Sequence, residues 1–128
     1  MGTGYLIDTN VIIVYLNSRI ENNGMAFMHP IIDKIPNISV INKIEILRFN
    51  PPDDNYKTLL DFVKASNVLS LTENIVDKTI SICQVNKIKL PDAIVAATAL
   101  VYNYILITRN IADFKNIEGL TLINPHNL

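Results

Sequence analysis

The chain has 128 residues, of which 49% are hydrophobic and 18% are charged, and its net charge is −1. This composition predicts one globular domain over residues 1–128 and excludes a disordered chain. The near-neutral charge excludes a strongly basic nucleic-acid binder, but it leaves open an enzyme that contacts nucleic acid through a local patch.

The expected location is the cytoplasm. No apolar run approaches the roughly 20 residues that span a bilayer, so no membrane association is expected. No signal peptide is visible, and the single cysteine, Cys83, fits a reducing compartment as a small buried side chain.

Short apolar runs alternate with helical patterns along the chain. The apolar runs predict strands at Tyr5–Ile7, Ile38–Ile41, Val68–Leu71, Tyr104–Ile107 and Leu120–Ile123. The helical patterns lie at Val11–Leu16, Met25–Lys34, Asn42–Phe49, Asp54–Ala65, Ile75–Val85 and Asp92–Tyr102. Pro30 should weaken or kink the second helix, Pro51-Pro52 should end the third, and the polar stretch Asn17–Gly24 should be a loop. Since no strand alternates cleanly with polar residues, the order predicts an α/β domain with a mainly parallel sheet covered on both faces.

Asp8 directly follows the first predicted strand, in the stretch YLIDTN. Ligands usually bind at the carboxyl ends of parallel strands, which makes this carboxylate a candidate site residue. Asp is also a favoured helix N-cap, so capping of the next helix explains Asp8 equally well.

Glu45 lies in the helical stretch INKIEILRF. Helical spacing predicts that Ile41, Ile44 and Leu47 point inward, which leaves Glu45 on a neighbouring face. A surface ion pair with Arg48, three residues later, is the simpler interpretation of this carboxylate.

Asp92 and Asp113 complete the set of candidate acids. Asp92 opens PDAIVAATALVY, a helix that is apolar nearly all round, and the start of a buried helix is a costly place for an unpaired charge. Asp113 lies in ITRNIADF, where Asn110 can cap a short helix and Asp113 can complete a variant of the capping box.

All four acids are expected at the same edge of the sheet. Clustered carboxylates repel one another and require protons or cations, and oxygen-only ligands favour Mg²⁺ or Mn²⁺. Several basic residues lie within five positions of these acids and predict a rim that suits a phosphodiester: Lys43, Arg48, Lys87, Lys89, Arg109 and Lys115.

Four motifs in this order resemble those of PIN-domain ribonucleases, most closely the VapC-type toxins of type II toxin–antitoxin systems. The motifs are LIDTNVII, SVINKIEIL, LPDAIVAATAL and LITRNIADF. The resemblance implies a three-layer α/β/α sandwich and an Mg²⁺- or Mn²⁺-dependent endoribonuclease that cleaves RNA. It also implies a cognate antitoxin protein as partner and a homodimer.

The resemblance assigns roles residue by residue. It implies catalytic and metal-binding roles for Asp8, Glu45, Asp92 and Asp113. It implies supporting polar roles for Asn10, Thr108 and Asn110. The fourth acidic position is open between Asp113, which we favour, and Asn110. Asn42 departs from the family, which often has Thr or Ser three residues before the glutamate. The rim residues Lys43, Arg48, Lys89 and Arg109 are the candidate RNA contacts.

Other functions remain open at this level. A PIN-domain nuclease with a non-toxin role in RNA processing and a catalytically silent PIN-like scaffold both fit the motifs. An aspartyl phosphatase usually needs a second acid where this chain has Asn10. A receiver domain needs a lysine after the late strand, where Arg109 follows Thr108.

For an antitoxin, the apolar residues Met25, Phe27 and Met28 are a candidate contact.

Overall fold

A computed structural model describes residues 4–48 and 55–128. The predicted helix ends at Phe49 and Asp54, and the expected break at Pro51-Pro52, lie outside the described residues.

The described residues contain one five-stranded sheet. Its strands are β1 (Tyr5–Ile7), β2 (Asn37–Ser39), β3 (Asn67–Leu69), β4 (Ile105–Ile107) and β5 (Leu122–Ile123). The order is β3-β2-β1-β4-β5, and every neighbouring pair is parallel, which confirms the predicted α/β class. The chain runs outward from β1 to β3 and then returns to β4 on the other side of β1. The carboxyl ends of β1 and β4 therefore form the crevice where such sheets bind ligands. A receiver domain has the order 2-1-3-4-5, so this topology removes that alternative.

Helices cover both faces of the sheet. They are α1 (Thr9–Leu16), α2 (Asn22–Asp33), α3 (Val40–Arg48), α4 (Asn55–Ala65), α5 (Glu73–Val85), α6 (Leu90–Tyr102), α7 (Ile111–Phe114) and a 3-10 helix (Pro125–Asn127). Neighbouring strand residues point to opposite faces. Leu6 and Leu106 accordingly belong to a core with α5 and α6, whereas Ile7 and Ile107 belong to a second core with α1 to α4. The two cores confirm the three-layer sandwich with strands buried on both faces.

Helix α2 begins at Asn22, inside the stretch predicted as a loop, and continues through Pro30. Gly24 lies within this helix, at the point where the 3-10 helix packs directly against α2. A Cβ at Gly24 would collide with the carbonyl oxygen of Pro125 and with the side chain of Ile20. The glycine therefore allows a close approach between two elements and does not mark a loop.

Helix α3 presents a different face to the core than predicted. Ile44 is 55% exposed, whereas Asn42 and Ile46 are fully buried. Periodicity assigns apolar residues to the interior, and it fails here because the Asn42 side chain is satisfied by hydrogen bonds. The expectation that Ile44 points inward is therefore wrong.

Three smaller expectations have outcomes in the structure. Cys83 is exposed and not buried. Met28 is fully buried, so of the proposed antitoxin contact only Met25 and Phe27 retain some exposure. Within the described part of the chain, no helix combines the length and apolar character that crossing a membrane requires.

Candidate active site

The carboxylate of Asp8 is buried at the carboxyl end of β1, with only 6% of the residue exposed. Its Oδ2 accepts a hydrogen bond from Thr108 Oγ1 at 2.9 Å. Its Oδ1 accepts from the Thr9 backbone N–H at 2.9 Å and from Asn42 Nδ2 at 3.4 Å. Asp8 is the N-cap of α1, so the capping role is present. The same side chain also joins β1 to α3 and to the segment that follows β4.

Two polar residues tie together the segments after β1 and β4. Thr108 is fully buried, and while its hydroxyl donates to Asp8 it also accepts from the Asn110 backbone N–H at 3.0 Å. Asn10 Oδ1 accepts from the Arg109 backbone N–H at 3.4 Å. Asn10 and Thr108 therefore hold the segments after β1 and β4 together at the crevice between these two strands.

Glu45 is held by Thr9, a residue that the sequence did not single out. Thr9 Oγ1 donates to Glu45 Oε1 at 2.8 Å. The predicted ion pair between Glu45 and Arg48 is not among the salt bridges of residues 4–48 and 55–128. The carboxylate therefore points toward Asp8 and its neighbours. Thr9 follows Asp8 directly in the motif LIDTNVII, and this position is the one sequence feature that could have indicated its role in the site.

Asn42 connects Asp8 and Thr9 to the start of α3. Its Nδ2 donates to Thr9 Oγ1 at 3.0 Å in addition to Asp8. Its Oδ1 accepts from the Ser39 backbone N–H at 2.9 Å, and its own N–H donates to Ser39 Oγ at 3.1 Å. The last two bonds are a reciprocal capping box in which asparagine replaces the usual glutamate. Ser39 was also missed, although its spacing of three residues from Asn42 is that of a capping box.

Asp92 lies in the first turn of α6 and is partly buried. Burial raises the pKa of its carboxyl group, the negative charges of Asp113 and Glu45 raise that pKa further, and Lys89 lowers it. Asp92 is therefore close enough to both Asp113 and Glu45 for their charges to act on its carboxyl group.

Asp113 is exposed in the first turn of α7. Asn110 is the N-cap of α7, but its side chain forms no capping hydrogen bond, and the Asp113 N–H bonds to the Asn110 carbonyl oxygen instead. The side-chain capping that was the alternative explanation of Asn110 and Asp113 is thus not formed. The charge of Asp113 acts on Asp92.

Burial is the main reason that the pKa of Asp8 rises from 3.8 to about 6. Hydrogen bonds from Thr108 and Thr9 lower this pKa, while the charges of Asp92 and Glu45 raise it. The charges of Glu45 and Asp92 thus act on Asp8, and the charges of Glu45 and Asp113 act on Asp92.

The donor chemistry of this site fits a hard cation, since it offers carboxylate, hydroxyl and amide oxygens. Among the described residues, which include all four acids, no three acidic, histidine or cysteine side chains form a group that could hold a metal ion. The four carboxylates are therefore farther apart than the ligands of a preformed metal site, although they were expected to converge on one point. Mg²⁺ commonly uses one or two carboxylates and keeps several waters, so the residues present still fit such an ion.

The candidate RNA contacts Lys43, Arg48, Lys89 and Arg109 are all exposed. Lys89 is the N-cap of α6, and its charge reaches Asp92. Arg109 follows Thr108 directly, and its charge acts on His126. None of the four forms a salt bridge within the part of the chain that the structure describes.

Comparison with known proteins identifies the family. The sequence profile of the PIN domain matches residues 5–120, which is most of the chain. This chain belongs to the PIN-domain family. The resemblance in the four motifs is thereby confirmed at the level of the family.

Relatives of this PIN domain include a ribonuclease and a toxin–antitoxin complex. Ribonuclease VapC1 of Rickettsia felis is 26% identical over 135 residues, covering 94% of this chain and 95% of the relative. A toxin–antitoxin complex from Klebsiella pneumoniae has a TM-score of 0.77 at 26% identity, covering 95% of this chain and 98% of the other. VapBC-1 from nontypeable Haemophilus influenzae has a TM-score of 0.76 at 22% identity, covering 94% and 97%. The last of these supports the fold alone.

Replacing Asp8 with asparagine should stabilise the protein at pH 7.5 in the absence of divalent ions. The folded-state pKa of about 6 exceeds the ordinary value of 3.8, so the folded state keeps this proton longer than the unfolded state. Stability contributed by this group is therefore present at low pH and is lost as pH rises through about 6. The shift corresponds to about 3 kcal/mol once the group is ionised.

Urea unfolding of both proteins in EDTA measures this difference. Asp8→Asn should be about 1–3 kcal/mol more stable than the wild type at pH 7.5, and the difference should disappear near pH 4. Asp77→Asn, at an exposed acid on α5, is the matched control and should change little at either pH. A variant less stable than the wild type at pH 7.5 would contradict the buried, ionised Asp8.

Replacing Asn42 with alanine should destabilise the protein, because it removes the side-chain bonds to Asp8, Thr9 and Ser39 together. Buried groups left without partners predict a loss of about 2–4 kcal/mol in the free energy of unfolding. Asn74→Ala, at an exposed asparagine in α5, should cost less than about 0.5 kcal/mol. Equal losses in the two variants would refute the positioning role of Asn42.

Proposed function

We propose that this protein is a metal-dependent endoribonuclease that hydrolyses RNA phosphodiester bonds and acts as the toxin of a toxin–antitoxin pair. The activity would lie in a single PIN-like domain over residues 1–128. The observation that carries the proposal is the buried carboxylate of Asp8 at the switch point of the sheet, electrostatically coupled to Glu45 and Asp92. The ribonuclease and toxin–antitoxin relatives support it.

We further propose Mg²⁺ or Mn²⁺ as the cofactor, bound directly by one or two of the carboxylates of Asp8, Glu45, Asp92 and Asp113 and through water by the others. Burial is the main cause of the raised pKa values of Asp8 and Asp92, and the neighbouring carboxylates raise both further. This supports the assignment, because a cation would compensate a buried carboxylate and offset the repulsion between neighbouring ones. When bound, such an ion lowers the pKa of an attacking water and stabilises the charge that develops on the phosphodiester.

The chain's own residues would fix the geometry of this chemistry. Thr108 and the Thr9 backbone hold the two oxygens of Asp8, and the Thr9 hydroxyl holds Glu45. These bonds keep both carboxylates in one orientation, so little reorganisation is needed when substrate binds. Asp113 is favoured over Asn110 as the fourth acid, because its charge acts on Asp92. Asn110 would then support the site through its backbone bond to Thr108.

The exposed cations would attract the RNA backbone. None of them forms a salt bridge within the described residues, so the charges of Lys43, Arg48, Lys89 and Arg109 are available to phosphates. Lys89 is the best placed of these, because its charge already reaches Asp92.

The proposed partners are an antitoxin protein and a second copy of this chain. The relative from Klebsiella pneumoniae, which is described as a toxin–antitoxin complex, supports an antitoxin partner. An enzyme that cuts RNA in the cytoplasm, where we propose that it acts, would require such an inhibitor.

Cleavage of a pool of structured RNAs in Mg²⁺, Mn²⁺ or EDTA tests the proposal. Wild-type protein should cut RNA in Mg²⁺ or Mn²⁺ and not in EDTA. Asp8→Asn, Glu45→Gln and Asp92→Asn should each lower the rate at least about 100-fold, because each removes a charge proposed to hold the cation. Asp113→Asn should lower the rate more than Asn110→Ala does.

Matched controls separate the site from general changes in charge. Asp77→Asn and Glu73→Gln make the same substitutions at exposed positions of α5 and should cut at the wild-type rate. Equal cleavage by the wild type and the three site variants would point to a contaminating nuclease and sink the assignment. An inactive wild-type protein that still binds RNA would support a silent scaffold instead.

A further inference from the structure

A cleft opens beside the acidic residues, between helix α7 and the loop that joins α5 to α6. It encloses about 340 Å³, and Asp92 and Asp113 form part of its wall. This volume is within the roughly 300–1,000 Å³ typical of small-molecule sites. The cleft therefore continues from the candidate active site and has room for a group larger than a hydrated ion.

Two lysines line the same cleft. Lys87 and Lys89 precede α6, both are exposed, and neither forms a salt bridge in residues 4–48 or 55–128. A cleft that combines lysines with carboxylates suits a ligand whose phosphate binds the lysines while a neighbouring phosphodiester lies at the acids.

The rest of the wall suits a nucleobase. Asn116 is exposed to the cleft, and its side chain forms no hydrogen bond within the described residues. The side-chain amide of Asn86 donates a hydrogen bond from Nδ2 to the Ile82 carbonyl oxygen at 3.1 Å, which leaves its side-chain oxygen Oδ1 as an acceptor. Ile88 and Ile117 add apolar surface. Carboxamides pair with base edges, and apolar side chains contact base faces.

We propose that this cleft binds one nucleotide of the RNA beside the cleaved bond, with Lys87 and Lys89 on its phosphate and Asn116 on its base edge. The position beside the cleaved bond rests on the proposed ribonuclease function. Lys87 and Asn116 would then determine substrate affinity and base preference, respectively, without taking part in the chemical step.

Titration of the full-length ¹⁵N-labelled protein in EDTA tests the cleft without requiring cleavage. The probes are AMP, CMP, GMP, UMP and inorganic phosphate, and backbone amide shifts report where each binds. Shifts are expected in residues 86–89 and 112–117, with one nucleotide binding at least about fivefold more tightly than the others. Inorganic phosphate should bind more weakly than that nucleotide.

Variants assign the two contacts. Lys87→Gln should raise the dissociation constant of the preferred nucleotide roughly tenfold, and Asn116→Ala should abolish the difference between bases. Lys78→Gln and Asn74→Ala, at exposed positions on α5 outside the cleft, are the matched controls and should bind as the wild type does. Shifts outside the cleft, or equal binding of all four nucleotides and phosphate, would overturn the proposal.

Sequencing the cut ends of a randomised RNA pool places the cleft relative to the cleaved bond. Asn116→Ala should relax base preference at one position flanking the cut. Cleavage with an unchanged preference would overturn the cleft proposal and leave the ribonuclease function standing. A wild-type protein that cuts no RNA would overturn the function, while the titration would still decide whether the cleft binds a nucleotide.

Discussion

The burial of one carboxylate, that of Asp8, is the constraint on which the rest of this structure depends. Removing an ionised group from water is costly unless hydrogen bonds or cations compensate for it. The chain compensates with donors from three places: Thr9 at the start of α1, Asn42 in α3 and Thr108 after β4. Because these donors come from separate segments, Asp8 fixes how β1, α3 and β4 meet at the carboxyl edge of the sheet.

The compensation is incomplete, which is why the pKa of Asp8 lies well above its ordinary value. Its hydrogen bonds lower the pKa, but burial and the nearby charges of Glu45 and Asp92 outweigh them. A protein that needed Asp8 only as a helix cap would gain stability by replacing it with a neutral capping residue. Keeping a buried charge at the cost of stability is typical of functional sites, where groups are arranged for a ligand.

The sequence predicted the architecture well because both of its main patterns are local. Unbroken apolar runs such as Tyr5–Ile7 indicated strands buried on both faces, and the small-residue helix that contains Asp92 indicated a buried helix. The strand order could not be predicted in this way, because it depends on which strands pair across the fold. Ile44 is exposed where periodicity predicted an inward position, and the polar Asn42 is buried instead. Periodicity assigns polar residues to the surface and takes no account of hydrogen-bond partners that are distant in sequence. The spacing of the four acidic side chains could likewise not be predicted from the sequence, because it depends on side-chain orientation.

The binding of Mn²⁺ tests most directly whether Asp8 is buried in order to hold a cation. Calorimetric titration of the wild type should show binding that weakens as pH falls below about 6, because protons compete for Asp8. Asp8→Asn should bind at least about tenfold more weakly at pH 7.5, and Asp77→Asn should bind as the wild type does. Equal Mn²⁺ affinity in the wild type and Asp8→Asn, with no change between pH 5 and 7.5, would contradict the assignment of Asp8 as a metal ligand.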